Sequence, residues 1–131
     1  MKYMLLCYDD GQYWEQAGQA AMNDAIQVAV GLCHEISAKG QYITCAPLHP
    51  VATATSVRVR DGKRLVTDGP FAETREHLGG FYLIDVKNLD EAIAIAARHP
   101  GAPHGTVEIR PVMELAGMPV DSYARDSSHP S

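Results

Sequence analysis

Cysteine is scarce in this chain, with Cys7, Cys33 and Cys45 the only three in 131 residues. An odd number at wide spacings makes neither a disulfide framework nor a CxxC zinc pattern, so all three read as small buried hydrophobes in a reducing compartment. Basic runs are missing as well, and the formal net charge is -5. A surface of that sign repels phosphate backbones and anionic lipid, which removes nucleic acid and membrane surfaces as default partners. No stretch approaches the ~18 apolar residues of a membrane helix. Met1 to Tyr8 has one lysine and a short apolar run without the core or cleavage site of a signal peptide, so a cytoplasmic location is expected. The histidines His34, His49, His77, His99, His104 and His129 show no HxH or HxxxH spacing. They read as surface or turn residues, and neither a metal nor a cofactor is expected. GxSxG and Walker patterns are also absent.

What is present suits one ordered domain. Hydrophobic residues make up 46% and charged residues 21%, enough apolar material for a core in a chain too short for two well-stabilised ones. Lys2 to Tyr8 reads as a strand that turns at Asp9-Asp10-Gly11. Gln12 to Gln19 is polar and small, and reads as a loop or an irregular helical start. From Met22 the period changes: Met22, Ala25, Ile26, Ala29, Cys33 and Ile36 recur at three- and four-residue steps with Leu32 beside them, an amphipathic helix ending at Lys39-Gly40. Gln41 to Ala46 is a short strand closed by Pro47. Thr53–Arg60 and Lys63–Thr67 flank Asp61-Gly62, a strong hairpin signal. Phe81 to Val86 is an apolar strand. Asn88 and Glu91 form a capping box for a second helix with Leu89, Ala92, Ile93, Ala96 and Ala97 as its stripe, stopped by Pro100. Thr106 to Val112 alternates as the last strand.

This order predicts an α+β domain over residues 1–116: a ferredoxin-like antiparallel sheet with two helices on one face. The other face would carry Arg58, Glu108 and Arg110 beside Phe81 or Leu83, too apolar to be fully wet. Two copies packed sheet to sheet resolve this, giving a homodimer, a dimeric α+β barrel with a partly polar cavity. Residues 117–131 have no period and read as a flexible or dimer-clasping tail.

One loop stands out. Asp68-Gly69-Pro70-Phe71 bends sharply, since proline fixes φ and glycine is permissive. Phe71 is expected to anchor the loop on the core, and Asp68, Glu73, Glu76 and His77 crowd titratable groups around Arg75. Carboxylates so placed can act as acid or base. Equally, Asp68 can accept backbone N–H bonds and lock the turn, and Glu73 and Glu76 can begin a helical turn. Arg58 and Arg110, if they share the open face, can hold a carboxylate ligand or else pair with Glu108 or Asp85.

The run DGPFAETREHLGGFYLIDV at Asp68–Val86, followed by DEAIAIA at Asp90–Ala96 and VEIRPV at Val107–Val112, resembles the YCII-related family, in particular its branch named for the DGPF signature. The resemblance covers Met1 to about Met113. It implies the dimeric ferredoxin-like barrel and, by association, a sigma-factor partner. The wider family includes a chloromuconolactone dehalogenase and carries a His–Asp pair proposed for acid/base work. Asp68 stands where that aspartate is expected. The matching histidine would fall near Met22 to Gln27, a stretch without one.

Two functional readings follow. One is a small-molecule-binding or regulatory dimer. The other is an acid/base enzyme of lyase, isomerase or dehalogenase type acting on a small anionic metabolite. Asp68 would be the proton carrier, and Arg58, Arg110, Gly69, Pro70, Phe71 and Glu73 the substrate contacts.

Overall fold

The computed structural model describes residues 1–119, so from residue 120 on the expected tail lies outside the described residues. The strands β1 (Lys2–Asp9), β2 (Tyr42–Pro47), β5 (His77–Asp85) and β6 (Gly105–Pro111) form one antiparallel sheet in the order β2-β5-β1-β6. Strict alternation decides which side of it is covered. Tyr3, Leu5 and Cys7 of β1 and Tyr82 and Ile84 of β5 are buried, and they meet Leu32, Ile36, Ala92, Ile95 and Ala96 from two helices, α2 (Gln19–Ala38) and α3 (Leu89–Ala97). Met4, Leu6 and Tyr8, with Phe81 and Leu83, alternate to the other side and are only half-buried. The sheet is open, and no barrel is closed within the described chain.

Among the described residues, three α-helices form where two were expected. Gln12 to Gln19 is neither loop nor irregular start, because Asp10 caps a short helix α1 (Gly11–Ala17), its carboxylate accepting the Gln12 N–H at 2.9 Å. Gly18, at φ 93°, ends it and lets α2 start at once. The α2 stripe falls where it was read except at Ile26, while the α3 stripe shifts in phase. Ile26 of α2 is half exposed, and the third helix buries Ala92, Ile95 and Ala96 while Leu89 and Ile93 face outward. An i, i+3, i+4 series serves the core equally well from either phase, and packing on the sheet selects this one. Asn88 caps the helix as read, accepting the Glu91 N–H, but the box closes one residue early, with the Glu91 carboxylate accepting the N–H of Lys87 instead of Asn88. Glu35 and Arg98 form an ion pair that joins α2 to the end of α3.

Strands β3 (Thr55–Arg60) and β4 (Lys63–Asp68) pair only with each other, around a turn in which Asp61 and Gly62 both have positive φ, 53° and 74°. That is the turn whose twist matches paired strands. Arg58 therefore belongs to a separate ribbon and does not share a sheet face with Arg110. Among the described residues, no helix is long and apolar enough to cross a membrane.

Candidate functional site

Titratable groups converge at the end of the sheet where β1 finishes and β5 begins. Strand β5 starts at His77 rather than Phe81, because the chain stays extended through Leu78, Gly79 and Gly80. Cys7 lies opposite Gly80 and Tyr8 opposite Leu78, so Gly79 is the extra residue of a bulge. The bare backbone there has a purpose. A Cβ on Gly79 would fall 2.7 Å from a carboxylate oxygen of Asp9, and one on Gly80 would fall 2.8 Å from the Ala46 carbonyl. The Asp9 side chain thus lies over glycine, with His77 as its cross-strand partner.

Around this pair stand Asp10, Glu76, Thr74 and Arg75. Arg75 Nε is 3.6 Å from Asp10. The Thr74 hydroxyl donates to the Glu76 carbonyl at 2.6 Å and lies 3.3 Å from His77 Nδ1. Burial pushes the Asp9 carboxyl above its usual range. Asp10 and Glu76 add to the push, while a hydrogen bond with Trp14 and the nearby His77 oppose it. Among the described residues, Glu76 Oε1 is buried without a hydrogen-bond partner, the kind of orphaned acceptor that a folded chain leaves at a cost of about 1–3 kcal/mol unless something fills it. Helix α1 braces the site from one side: Tyr13 stacks on His104 with ring centroids 3.8 Å apart, and Trp14 meets both edge-on. A polar cleft of about 500 Å³ opens here, lined by Asp10, Gly11, Gln12, Glu15, Val51, Thr74, Arg75 and His77. A cleft of similar size, about 510 Å³, surrounds the N-terminal amine where it meets Asp85 at 3.1 Å, with Lys39, Lys87 and Glu91 on its walls.

Asp68 ends β4 opposite Thr55, is exposed, and lines neither cleft. The bend after it is held through Gly69, whose N–H donates to Ala54 O at 2.7 Å and whose carbonyl accepts from the Ser56 hydroxyl at 2.8 Å. Pro70 and Glu73 are exposed, and no helical turn forms at Glu73 or Glu76. Phe71 does not anchor the loop: it is 77% exposed, and its carbonyl accepts from Arg58 at 3.3 Å. The ribbon carries this bend away from the core, so the described residues leave the ring largely uncovered. Arg110 stands opposite Met4 on the edge strand β6. Asp85, one proposed arginine partner, is taken by the N-terminus. Asp9, Trp14 and Thr74 were missed by the sequence reading; the one local signal was a pair of acids closing an apolar strand. Among the described residues, no three His, Cys, Asp or Glu side chains are placed to hold a metal ion.

These features define a small α+β domain with a helix-backed antiparallel sheet and an ionisable polar cleft at one end of it. A family model, the YCII-related domain, matches residues 1–116. An uncharacterized protein of Rhizobium meliloti (strain 1021) is 36% identical over 118 residues, which cover 86% of this chain and 92% of that protein. The chain belongs to the YCII-related family.

Proposed function

We propose that this chain, a member of the DGPF branch of its family, is a small-molecule-binding module that works as a homodimer. Its ligand site is the cleft at the junction of β1 and β5. The observation that carries the proposal is that Asp10 and His77 line one cleft, next to Asp9, the cross-strand partner of His77, and to Glu76, which among the described residues keeps one carboxylate oxygen buried and unmatched. A small polar ligand bearing a hydrogen-bond donor would complete that set, and Asp9 beside His77 can exchange a proton with it. The strand order β2-β5-β1-β6 supports the ferredoxin-like plan. The half-buried row Met4, Leu6, Phe81 and Leu83, on the side without helices, supports a second copy as its cover.

A thermal-shift screen of small polar metabolites tests this. Hits on the wild type should lose their shift in Asp9→Asn and in His77→Ala, while Asp68→Asn retains them. Shifts that survive both cleft variants would overturn the assignment. The acid/base enzyme centred on Asp68 predicts a different pattern: Asp68→Asn keeps the fold and the ligand shift but loses turnover of that ligand.

A further inference from the structure

The spacing of the three cysteines left them as separate hydrophobes, but the fold brings two of them together. Cys33 Sγ on α2 and Cys45 Sγ on β2 are 3.5 Å apart, and the Tyr42 hydroxyl donates to the Cys45 sulfur at 3.7 Å. Both are half-buried, whereas Cys7 is buried. Cys7 also stands on the far side of β5. It is opposite Gly80 on one flank of that strand, while Cys45 is opposite Tyr82 on the other. Two strand spacings separate the backbones by about 10 Å, beyond the reach of a disulfide. Between Cys33 and Cys45, by contrast, the bond length of about 2.05 Å is only about 1.5 Å of closure away, shared by two side chains.

We propose that Cys33 and Cys45 form a peroxide-responsive dithiol site whose oxidation staples α2 to β2. The Cys45 sulfur attacks one oxygen of hydrogen peroxide. The O–O bond breaks, the thiol proton leaves with the departing oxygen as water, and Cys45 becomes a sulfenic acid. The Cys33 sulfur then displaces the hydroxyl, which leaves as a second water carrying the Cys33 proton. Two thiols lose two electrons in total, and one peroxide is reduced to two waters. The order of steps follows from the pair itself. The Tyr42 hydroxyl donates to the Cys45 sulfur and so marks it as the attacking thiol, while burial, then its contact with Cys45, pushes the Cys33 thiol up and leaves it as the second to react.

The test treats the folded, full-length protein with hydrogen peroxide, then denatures and alkylates it. Of the three free thiols, one should remain alkylatable, with the intact mass short by two hydrogens. Digestion after glutamate cuts at Glu15 and Glu35 and so separates the three cysteines; the fragment holding Cys33 should be joined to the one holding Cys45 until dithiothreitol is added. Cys7→Ser should keep the link, and Cys33→Ser should stop at the sulfenic acid of Cys45. Three thiols still alkylatable, a link to Cys7, a link between chains, or a stable sulfenic acid in the wild type would each overturn the proposal. The fragment map reads the wild type directly, so the result stands even if a variant folds poorly.

Discussion

The main sheet and the β3–β4 ribbon are built from the same kind of sequence and end in opposite environments. In β1 and β5 every second residue disappears beneath helices, with Leu5 at 1% and Ile84 at 0% exposure. In the ribbon, Val57, Val59 and Val66 alternate just as regularly, yet stand 61%, 62% and 57% exposed. Local pattern therefore specifies a strand and its faces, while burial depends on what the rest of the chain, or another chain, lays over that face. A two-stranded ribbon alone is marginal in water. Its valines commit it to a cover that the described residues of one copy do not provide, which fits the proposed homodimer.

Mutations divide along this line. Ile84→Ala removes a fully buried side chain from the centre of the core, and should cost about 2–5 kcal/mol in urea denaturation. Val57→Ala, measured on dilute protein, should cost less than about 0.5 kcal/mol. A comparable loss at both positions would mean that the ribbon is covered within a single chain. Val57→Asp sharpens the same contrast. It places a charge on the ribbon's apolar face and should raise the dimer dissociation constant at least about tenfold, roughly 1.4 kcal/mol, by sedimentation equilibrium. An unchanged constant would put the dimer contact elsewhere.

Much of the covered half was legible in the sequence because periodicity and caps are local. The Asn88 cap, the Asp61-Gly62 turn and the alternation of the last strand are all set by a few neighbouring residues. The helix α1 was hidden because its cap, Asp10, was read only as part of a turn. The candidate site was hidden for another reason. Asp9 and His77 are 68 positions apart in the chain and meet only through the β1–β5 register, which a bulge at Gly79 then offsets. Attention went to Asp68 because its acidic, Gly-Pro context is conspicuous in one dimension. In three dimensions the same loop carries Arg75 and His77 into the cleft and leaves Asp68 outside. The Cys33–Cys45 contact was illegible on the same grounds, since it depends on how a helix lies against an edge strand.

Within the covered half, effects should become smaller toward its margins. Asn88→Ala leaves the Glu91 N–H without its cap and should cost about 1 kcal/mol of unfolding free energy, by thermal or urea denaturation. A loss as large as that at Ile84 would mean the cap holds more than its own helix.

Smallest, and most specific, are two opposite slopes of stability with pH. Burial holds the His99 imidazole below its usual value of 6.5, and its Nδ1 lies 2.9 Å from the Tyr82 hydroxyl. The folded chain binds that proton less readily than the unfolded one. Its contribution is therefore present above about pH 6.5 and drains away as pH falls through the lowered value in the fold. Asp9 behaves in the reverse sense. Its carboxyl is raised from 3.8, chiefly by burial, so its contribution is complete below that pH and is lost as pH rises through the raised value. Unfolding free energy measured against pH should therefore lose its His99 component in His99→Gln and its Asp9 component in Asp9→Asn, each variant leaving the other slope in place. The ribbon offers the control: Val57→Ala should leave the whole profile unchanged in shape. If Asp9→Asn left the slope above pH 3.8 intact, the carboxylate would not be desolvated by Gly79 and its neighbours, and the acid/base capacity proposed for the cleft would go with it.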